Sequence, residues 1–356
     1  MHMSRRGFWA AVLAGIAVPG LIPAGGLAAP AGPPALTTTY QVVAATDTAL
    51  TMRFTARNNS STPIDVRSLD LPRAHQIGEI LSVTHDGTPV EYRGKRAKLA
   101  APEETAYTRI PAGGAYTVDM RLADDYDLSR AGTYLVALTS TRIRGDDGPV
   151  RLTAGRGVVR TSAGVRGSAG SPRTTVGAPT ISTQRVGVAA VTLRFANCSS
   201  SEQTQLRTAI SNAYTYSTRA QSWLAGHTAG GGNYLTWFGA YSSARFNRAT
   251  TTFAAITSQL TSKTVDLICD AASPYMAYVY QAEHYVIYLG RGYWPAAATG
   301  WDSKAGTLIH ESSHFNVNGG ADDHVYGLAE GQQLARTDPN RAVDNADNIE
   351  HFAESL

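Results

Sequence analysis

The hydrophobic pattern of the chain changes near its middle. In residues 36–155, short segments alternate between apolar and polar positions or are rich in β-branched residues, and turn-forming pairs such as Asp86-Gly87 separate them. Several short strands at this spacing predict an antiparallel, sandwich-like β domain. We find no recognisable chemical constellation within this region. The clearest predicted strands are Thr39–Ala45, Ala49–Arg57, Ala115–Leu122 and Gly132–Thr141.

A helical pattern begins after Cys198. Ser199–Glu202 has the form of a helix start, and the residues that follow carry apolar side chains at three- and four-residue spacing. Residues 194–356 are therefore predicted to be mainly α-helical with a small β element, which makes the whole chain α+β. The predicted helices cover about 202–225, about 240–260, a segment capped by Asp302 or Ser303, and a segment from Tyr326 to Asp338. The predicted strands of this region are Tyr275–Tyr280 and Tyr285–Leu289.

Two further segments have distinctive compositions. Residues 156–193 are rich in Gly, Ser, Thr, Arg and Val, which predicts a linker with a few short strands and a processing region. Residues 1–29 begin with a basic Arg5-Arg6 pair, continue with a weakly apolar stretch and end in small residues, as signal peptides do. The paired arginines also fit a twin-arginine signal, so both export routes stay open.

Charge and cysteine content refine this organisation. Residues 194–356 hold 10 Lys/Arg and 14 Asp/Glu, a net charge of −4, and the remainder of the chain has a net charge of +7. The two parts could attract each other electrostatically, or each charge could simply keep its own part soluble. No basic cluster is interleaved with aromatic residues, so nucleic acid is not a predicted partner. After the signal peptide, no stretch is long and apolar enough to span a bilayer. We predict a secreted protein, in which Cys198 and Cys269 would form a disulfide; the alternative is two free buried thiols.

The candidate chemistry lies in His310-Glu311-Ser312-Ser313-His314. Positions i and i+4 share one helical face, so both imidazoles can bind one metal ion, while Glu311 reaches a water molecule on that ion. The motif alone leaves the third ligand open. A His-rich set would need Gly at 317 and His at 320, where this chain has Val317 and Gly320. Gly319-Gly320 permit a sharp turn back to the metal. The candidates for the third ligand are Asp323, its neighbours Asp322 and His324, and Glu330.

At this point the sequence resembles the aspzincin metallopeptidases, which combine H-E-x-x-H with G-T-x-D-x-x-Y-G. The matching residues are Gly320–Gly327, with Ala321 in place of the threonine. The resemblance implies a zinc ion bound by His310, His314 and Asp323. It also implies that Glu311 is the general base and that Tyr326 donates a hydrogen bond to the oxyanion.

Within that family, residues 194–356 resemble the peptidyl-lysine metalloendopeptidases, most specifically in Asn345–Phe352. The resemblance implies that Asp347 and Glu350 line the S1′ pocket and bind the substrate lysine. The two residues are three positions apart, so a helix would put both carboxylates on one side; the alternative is a solvated acidic helix end. The front region, 36–155, more loosely resembles the prosegments of bacterial relatives.

The sequence thus predicts a secreted endopeptidase made as a proenzyme, with one Zn²⁺ per catalytic domain, that cuts protein and peptide substrates before lysine. Its prosegment would act as an intramolecular inhibitor or chaperone. The alternatives are a deuterolysin-like protease of broader specificity and a secreted binding module with a structural zinc domain. No lysine lies between Lys98 and Lys263, so another protease or a side specificity is expected to cut near 180–194.

Overall fold

In the computed structural model of the protein, the described residues are 35–100, 106–140, 142–167, 180–186, 189–227 and 231–356. They belong to one unit, Pro34–Leu356. The predicted signal peptide lies outside them. The strands are β1 (Leu36–Ala45), β2 (Leu50–Asn58), β3 (Ile64–Arg67), β4 (Leu81–His85), β5 (Thr88–Pro89), β6 (Lys95–Lys98), β7 (Tyr107–Ile110), β8 (Ala115–Arg121), β9 (Gly132–Leu138), β10 (Arg142–Gly145), β11 (Gly148–Thr153), β12 (Gly157–Thr161), β13 (Thr180–Val186), β14 (Ala189–Ala196), β15 (Thr264–Asp270), β16 (Ala277–Tyr280) and β17 (Val286–Gly290). The helices are α1 (Ser200–Gly226), α2 (Gly232–Phe238), α3 (Ser243–Ser262), α4 (Lys304–His314), α5 (Leu328–Thr337), α6 (Pro339–Ala342) and α7 (Ala346–Glu354).

Two sheets of the front region share one apolar core. The first has the strand order β7-β3-β10-β11-β1-β2-β8 and the second has the order β12-β9-β4-β5. Alternate side chains of the first sheet, such as Met52 and Phe54, belong to one buried cluster with Val83 and Val136 of the second. The alternation of apolar and polar residues therefore correctly predicts sheets that bury one face.

The third sheet brings front and back regions together, in the order β13-β14-β15-β17-β16-β6. Strands β14, β15 and β17 run parallel, and helices α1, α3, α4 and α7 contribute to the core that covers them. The edge strand β6 comes from the front region and pairs antiparallel with β16, so that Lys98 lies opposite Ala277. One strand of the front region is thus part of the sheet beside α4.

The α+β prediction is confirmed, and most predicted elements have a counterpart within a few residues. The helix start at Ser199 is a capping box, in which Ser199 accepts from the Glu202 amide and the Glu202 side chain accepts from the Ser199 amide. Ser303, rather than Asp302, caps α4. Residue 194, the predicted start of the catalytic domain, lies inside β14, which pairs with β15. In the part of the chain that is described, no helix has the length and apolarity that crossing a membrane requires.

The predicted Cys198–Cys269 disulfide is present and joins the start of α1 to the end of β15 across 71 residues. Closing a loop of this length restricts the unfolded chain and is worth about 4 kcal/mol. We therefore expect the double variant Cys198→Ser/Cys269→Ser to lose about 2–5 kcal/mol of unfolding free energy, measured by urea denaturation. The matched control is the wild-type chain under reducing conditions, which should shift equally. Equal midpoints for variant and oxidised wild type would contradict the prediction.

Candidate active site and metal centre

Helix α4 presents two buried imidazoles on one face. His310 and His314 are one turn apart, and neither side chain is exposed to solvent. The ring centroids are 4.9 Å apart. The Nδ1 atom of His314 lies 2.8 Å from the Ala321 carbonyl oxygen, which turns its Nε2 towards His310. The helix thus orients two nitrogen atoms towards one point, as the spacing of the motif predicts.

A glycine turn brings Asp323 to the same point. After α4 the chain reverses through Gly319 and Gly320, whose φ angles are 129° and 62°. These angles lie in the region that favours glycine, so the turn depends on both residues. The Oδ1 atom of Asp323 lies 3.2 Å from His310 Nε2 and 3.3 Å from His314 Nε2.

These three atoms form a donor set suited to zinc. The two Nε2 atoms and Asp323 Oδ1 are buried and have no hydrogen-bond partner among the described residues. They also lie within 4.8 Å of one another. Buried polar atoms without partners are costly, and two imidazoles with one carboxylate match the preference of Zn²⁺. Three protein ligands would leave a fourth position for water, as catalytic zinc requires.

The three rival residues for the third ligand position lie elsewhere. Asp322 pairs with Arg96. His324 Nε2 lies 3.1 Å from Asp344 Oδ2, and Glu330 is exposed on α5. Of the four candidates, the structure therefore brings Asp323 to the histidines.

Glu311 and Tyr326 face the backbone of β6 from two sides. The Lys98 amide donates to Glu311 Oε1 over 2.8 Å. The Tyr326 hydroxyl donates to the Ala97 carbonyl oxygen over 3.0 Å. The Ala97 amide donates to Asp323 Oδ2 over 3.3 Å. One peptide bond, Ala97–Lys98, therefore lies between the predicted base and the predicted oxyanion donor.

The carboxylates of α7 surround the side chain of Lys98. The Lys98 Nζ atom lies 3.0 Å from Asp347 Oδ1 and 2.9 Å from Glu350 Oε2, and none of these side chains is exposed. Asp302, which precedes α4, supplies a third carboxylate at 2.7 Å. The two predicted pocket residues are therefore close together around an ammonium group, and the pocket extends to Asp302.

Backbone pairing holds this pocket beside the glycine turn. Asp322 forms an isolated parallel bridge with Asn345, the residue before α7. The Asn345 carboxamide oxygen accepts from the amides of His324 and Val325. The Gly327 amide donates to Asp347 Oδ2 over 2.6 Å. The Asp323 loop and the first turn of α7 are thus one connected structure.

Sequence comparison identifies the family. A family described as lysine-specific metallo-endopeptidase (aspzincin) matches residues 224–354. An extracellular protease from Aeromonas hydrophila is 32% identical over 335 residues, which cover 94% of this chain and 96% of that protein. The chain belongs to the aspzincin family. It is a zinc metallo-endopeptidase, which argues against the alternative of a binding module with a structural zinc domain.

Two fungal relatives cover a shorter part of this aspzincin. A peptidyl-Lys metalloendopeptidase from Pleurotus ostreatus is 46% identical over 162 residues, 45% of this chain and 96% of that protein. The solved structure of a zinc peptidase from Grifola frondosa has 44% sequence identity and a TM-score of 0.43, and the match covers 44% of this chain and 97% of that chain.

The buried charges of the aspzincin site shift one another's pKa values. Burial raises the pKa of Glu311 to about 7, although His310 and His314 lower it. Burial opposes the charge on Lys98, but Asp347 and Glu350 outweigh it and raise the pKa of the ammonium well above its usual value. Burial likewise opposes the charge on Asp347, yet Lys98 and His310 hold the pKa of its carboxyl well below the usual value. The pocket therefore favours an ion pair.

The front region contributes Lys98 to the site through β6, a contribution that its sequence pattern does not predict. Lys98 is fully buried in the pocket, and its amide donates to Glu311. The carbonyl oxygen of the preceding residue, Ala97, accepts from Tyr326. The sequence of β6 shows two lysines, Lys95 and Lys98, in a chain that has four. The scarcity of lysine was the one feature of the sequence that could have drawn attention to β6. The hydrophobic pattern could not show that β6 pairs with β16, because a strand's pattern does not identify a distant partner.

Proposed function

We propose that this aspzincin is a secreted endopeptidase that hydrolyses the peptide bond before a lysine, and that it is made as a proenzyme. One zinc ion would be held by His310, His314 and Asp323. The observation that carries the proposal is the buried contact of the Lys98 ammonium with the carboxylates of Asp347 and Glu350. A lysine whose side chain is bound there has its backbone amide next to Glu311. The residue that the pocket recognises therefore also carries the nitrogen of the bond to be cut.

Each chain residue would have a distinct role in hydrolysis. When bound, zinc polarises the scissile carbonyl and lowers the pKa of a water molecule. Glu311 would take a proton from the water molecule and deliver it to the leaving nitrogen. Tyr326 would donate to the oxyanion, because its hydroxyl already donates to the carbonyl before Lys98.

The pocket would select lysine by charge. Two buried carboxylates oppose a compact ammonium group, and the third, on Asp302, lies at the open side of the pocket, where 41% of its side chain is exposed. An uncharged side chain would leave these buried carboxylates without a partner, which is unfavourable. The name of the Pleurotus relative, peptidyl-Lys metalloendopeptidase, supports the same preference.

The proenzyme proposal rests on the position of the front region. Its strand β6 is paired along β16 and crosses the site, so a substrate cannot occupy the same space. The front region would therefore act as an intramolecular inhibitor, a chaperone for folding, or both. Secretion is supported by the signal-like residues 1–29 and by the name of the Aeromonas relative, an extracellular protease.

A digest tests the specificity. The chain carrying Lys98→Ala, which frees the pocket for an external lysine, is supplied with Zn²⁺ and incubated with a denatured protein mixture, and the new N-termini are identified by mass spectrometry. We expect lysine at nearly every new N-terminus, and no new termini in a parallel incubation with a chelator. New N-termini spread over many residue types would instead support the broader, deuterolysin-like alternative.

A further inference from the structure

The strand β6 lies in the active site as a substrate would. It extends the sheet by pairing antiparallel with β16, which would be the edge strand without it, and extended peptides add to sheets in this way. Its side chains alternate as strand geometry requires. Lys98 enters the carboxylate pocket, while the Lys95 ammonium lies 3.8 Å from the centre of the Tyr278 ring.

The register of β6 places a single peptide bond at the reacting groups. On one side of the Ala97–Lys98 bond, the carbonyl oxygen accepts from the Tyr326 hydroxyl over 3.0 Å. On the other side, the amide nitrogen lies 2.8 Å from Glu311 Oε1. A strand displaced by one residue would place Ala97 or Leu99 at the pocket, and neither side chain is charged.

We propose that Ala97–Lys98 is a self-cleavage site, hydrolysed by the active site of the same molecule. This inference rests on the proposed preference for lysine. The oxygen of water adds to the Ala97 carbonyl carbon, and the carbon–nitrogen bond to Lys98 breaks. Glu311 transfers the proton from water to the leaving nitrogen. The products are a carboxylate at Ala97 and an amine at Lys98.

The cut would change the state of the proenzyme. Before hydrolysis, contacts on both sides of the scissile bond hold β6: Arg96 pairs with Asp322, and Lys98 pairs with Asp347 and Glu350. Afterwards the two halves are no longer covalently joined, so each can leave the cleft separately and a substrate can enter. Because no lysine lies between Lys98 and Lys263, the same specificity cannot then release residues 99–193.

The first measurement follows the full chain itself. The protein is purified with a chelator, Zn²⁺ is added, and intact mass and N-terminal sequencing follow the products with time. We expect a fragment that begins at Lys98 and a partner that ends at Ala97. The rate constant should be unchanged by a tenfold dilution, because the reaction is intramolecular. A rate that falls in proportion to dilution would overturn self-cleavage within one molecule.

Matched variants identify the lysine responsible. Lys98→Arg keeps a cation of similar length and is expected to slow the cut at this bond at least tenfold. Lys95→Arg changes a lysine on the same strand that lies outside the pocket, and should leave the cut unchanged. Equal cutting in Lys98→Arg and wild type, or cutting before Lys95 instead, would contradict the register.

A second readout needs no turnover. In the Glu311→Gln chain, which is expected to stay uncut, hydrogen–deuterium exchange of residues 95–98 should be slow because β6 is paired. Adding Lys98→Ala should accelerate that exchange at least tenfold, since the buried anchor is lost. Fast exchange in Glu311→Gln alone would overturn the docking of β6.

Failure of the inference differs from failure of the proposed function. If the Lys98→Ala chain digests an external protein before lysine while the wild-type chain stays intact at Ala97–Lys98, the inference is wrong and the proposed function holds. If neither chain cuts any substrate before lysine, the proposed specificity is wrong, and self-cleavage at this bond is excluded with it.

Discussion

Replacing Glu311 with Gln is expected to lower kcat on lysine-containing peptides by about 10²–10⁴-fold, the usual contribution of a general acid–base group. Glutamine has nearly the same shape, so it would keep the contact with the substrate amide that Lys98 now makes with Glu311. It cannot accept the proton of water. Zinc content should be unchanged, because the three atoms of the metal site belong to His310, His314 and Asp323.

The measurement must exclude competition from the chain's own lysine. Both the variant and its reference should therefore carry Lys98→Ala, so that the pocket is open to an external peptide in each. Steady-state kinetics give kcat, and inductively coupled plasma mass spectrometry gives the amount of zinc bound per chain. Glu330→Gln is the matched control: this carboxylate is exposed on α5, was a rival for the third ligand position, and should alter neither quantity. Normal turnover in Glu311→Gln would contradict the proposal that Glu311 is the general base.

The local features of the site could be predicted from sequence because they depend on neighbouring residues. The i, i+4 spacing orients His310 and His314, and the turn at Gly319-Gly320 returns the chain within a few positions. Of the candidates for the third ligand, the structure brings Asp323 to the histidines. The strand pattern of the front region was likewise local, since each sheet there buries one face in a shared core.

The long-range features could not be predicted in this way. The pairing of β6 with β16 joins Lys98 to Ala277, and the sequence pattern of neither strand specifies its partner. The position of Asp302 before α4 predicts a helix cap, whereas its contact with Lys98 depends on the pairing of distant strands and is not predicted. Gly306 is a similar case. A Cβ atom there would collide with Glu354 and crowd Glu350, so this glycine allows α7 to approach α4.

The pocket is expected to lose its preference for lysine in a graded way. Glu350→Gln removes one partner of a buried ion pair, which typically costs about 2–5 kcal/mol, or roughly thirtyfold or more in kcat/KM. Asp302→Asn alters a carboxylate that is 41% exposed, so water would screen the loss and the effect should be less than about tenfold. Zinc content should stay normal in Asp302→Asn.

Asp347→Asn is expected to weaken zinc binding more than either of them, because Glu350 Oε2 lies farther from His310 Nδ1, at 3.3 Å. The Asp347 Oδ1 atom lies 3.0 Å from the Lys98 ammonium and 2.9 Å from His310 Nδ1, so it serves both the pocket and the orientation of a metal-binding histidine. Losing such a partner typically weakens metal affinity about 10–100-fold. The contact with His310 therefore predicts an effect of this change on zinc binding as well as on lysine preference.

Two measurements on one set of chains, each carrying Lys98→Ala so that the pocket is free, separate these effects. The ratio of kcat/KM for a lysine peptide to that for the matching norleucine peptide reports the charge of the pocket, because norleucine has similar length without the ammonium. Zinc titration against a competing chelator reports metal affinity. Glu350→Gln should lower the ratio strongly, Asp302→Asn weakly, and Asp347→Asn should lower both the ratio and the affinity. An unchanged ratio in Glu350→Gln would mean that the buried carboxylates do not select lysine, and normal zinc affinity in Asp347→Asn would mean that the contact with His310 is not needed to hold the ligand.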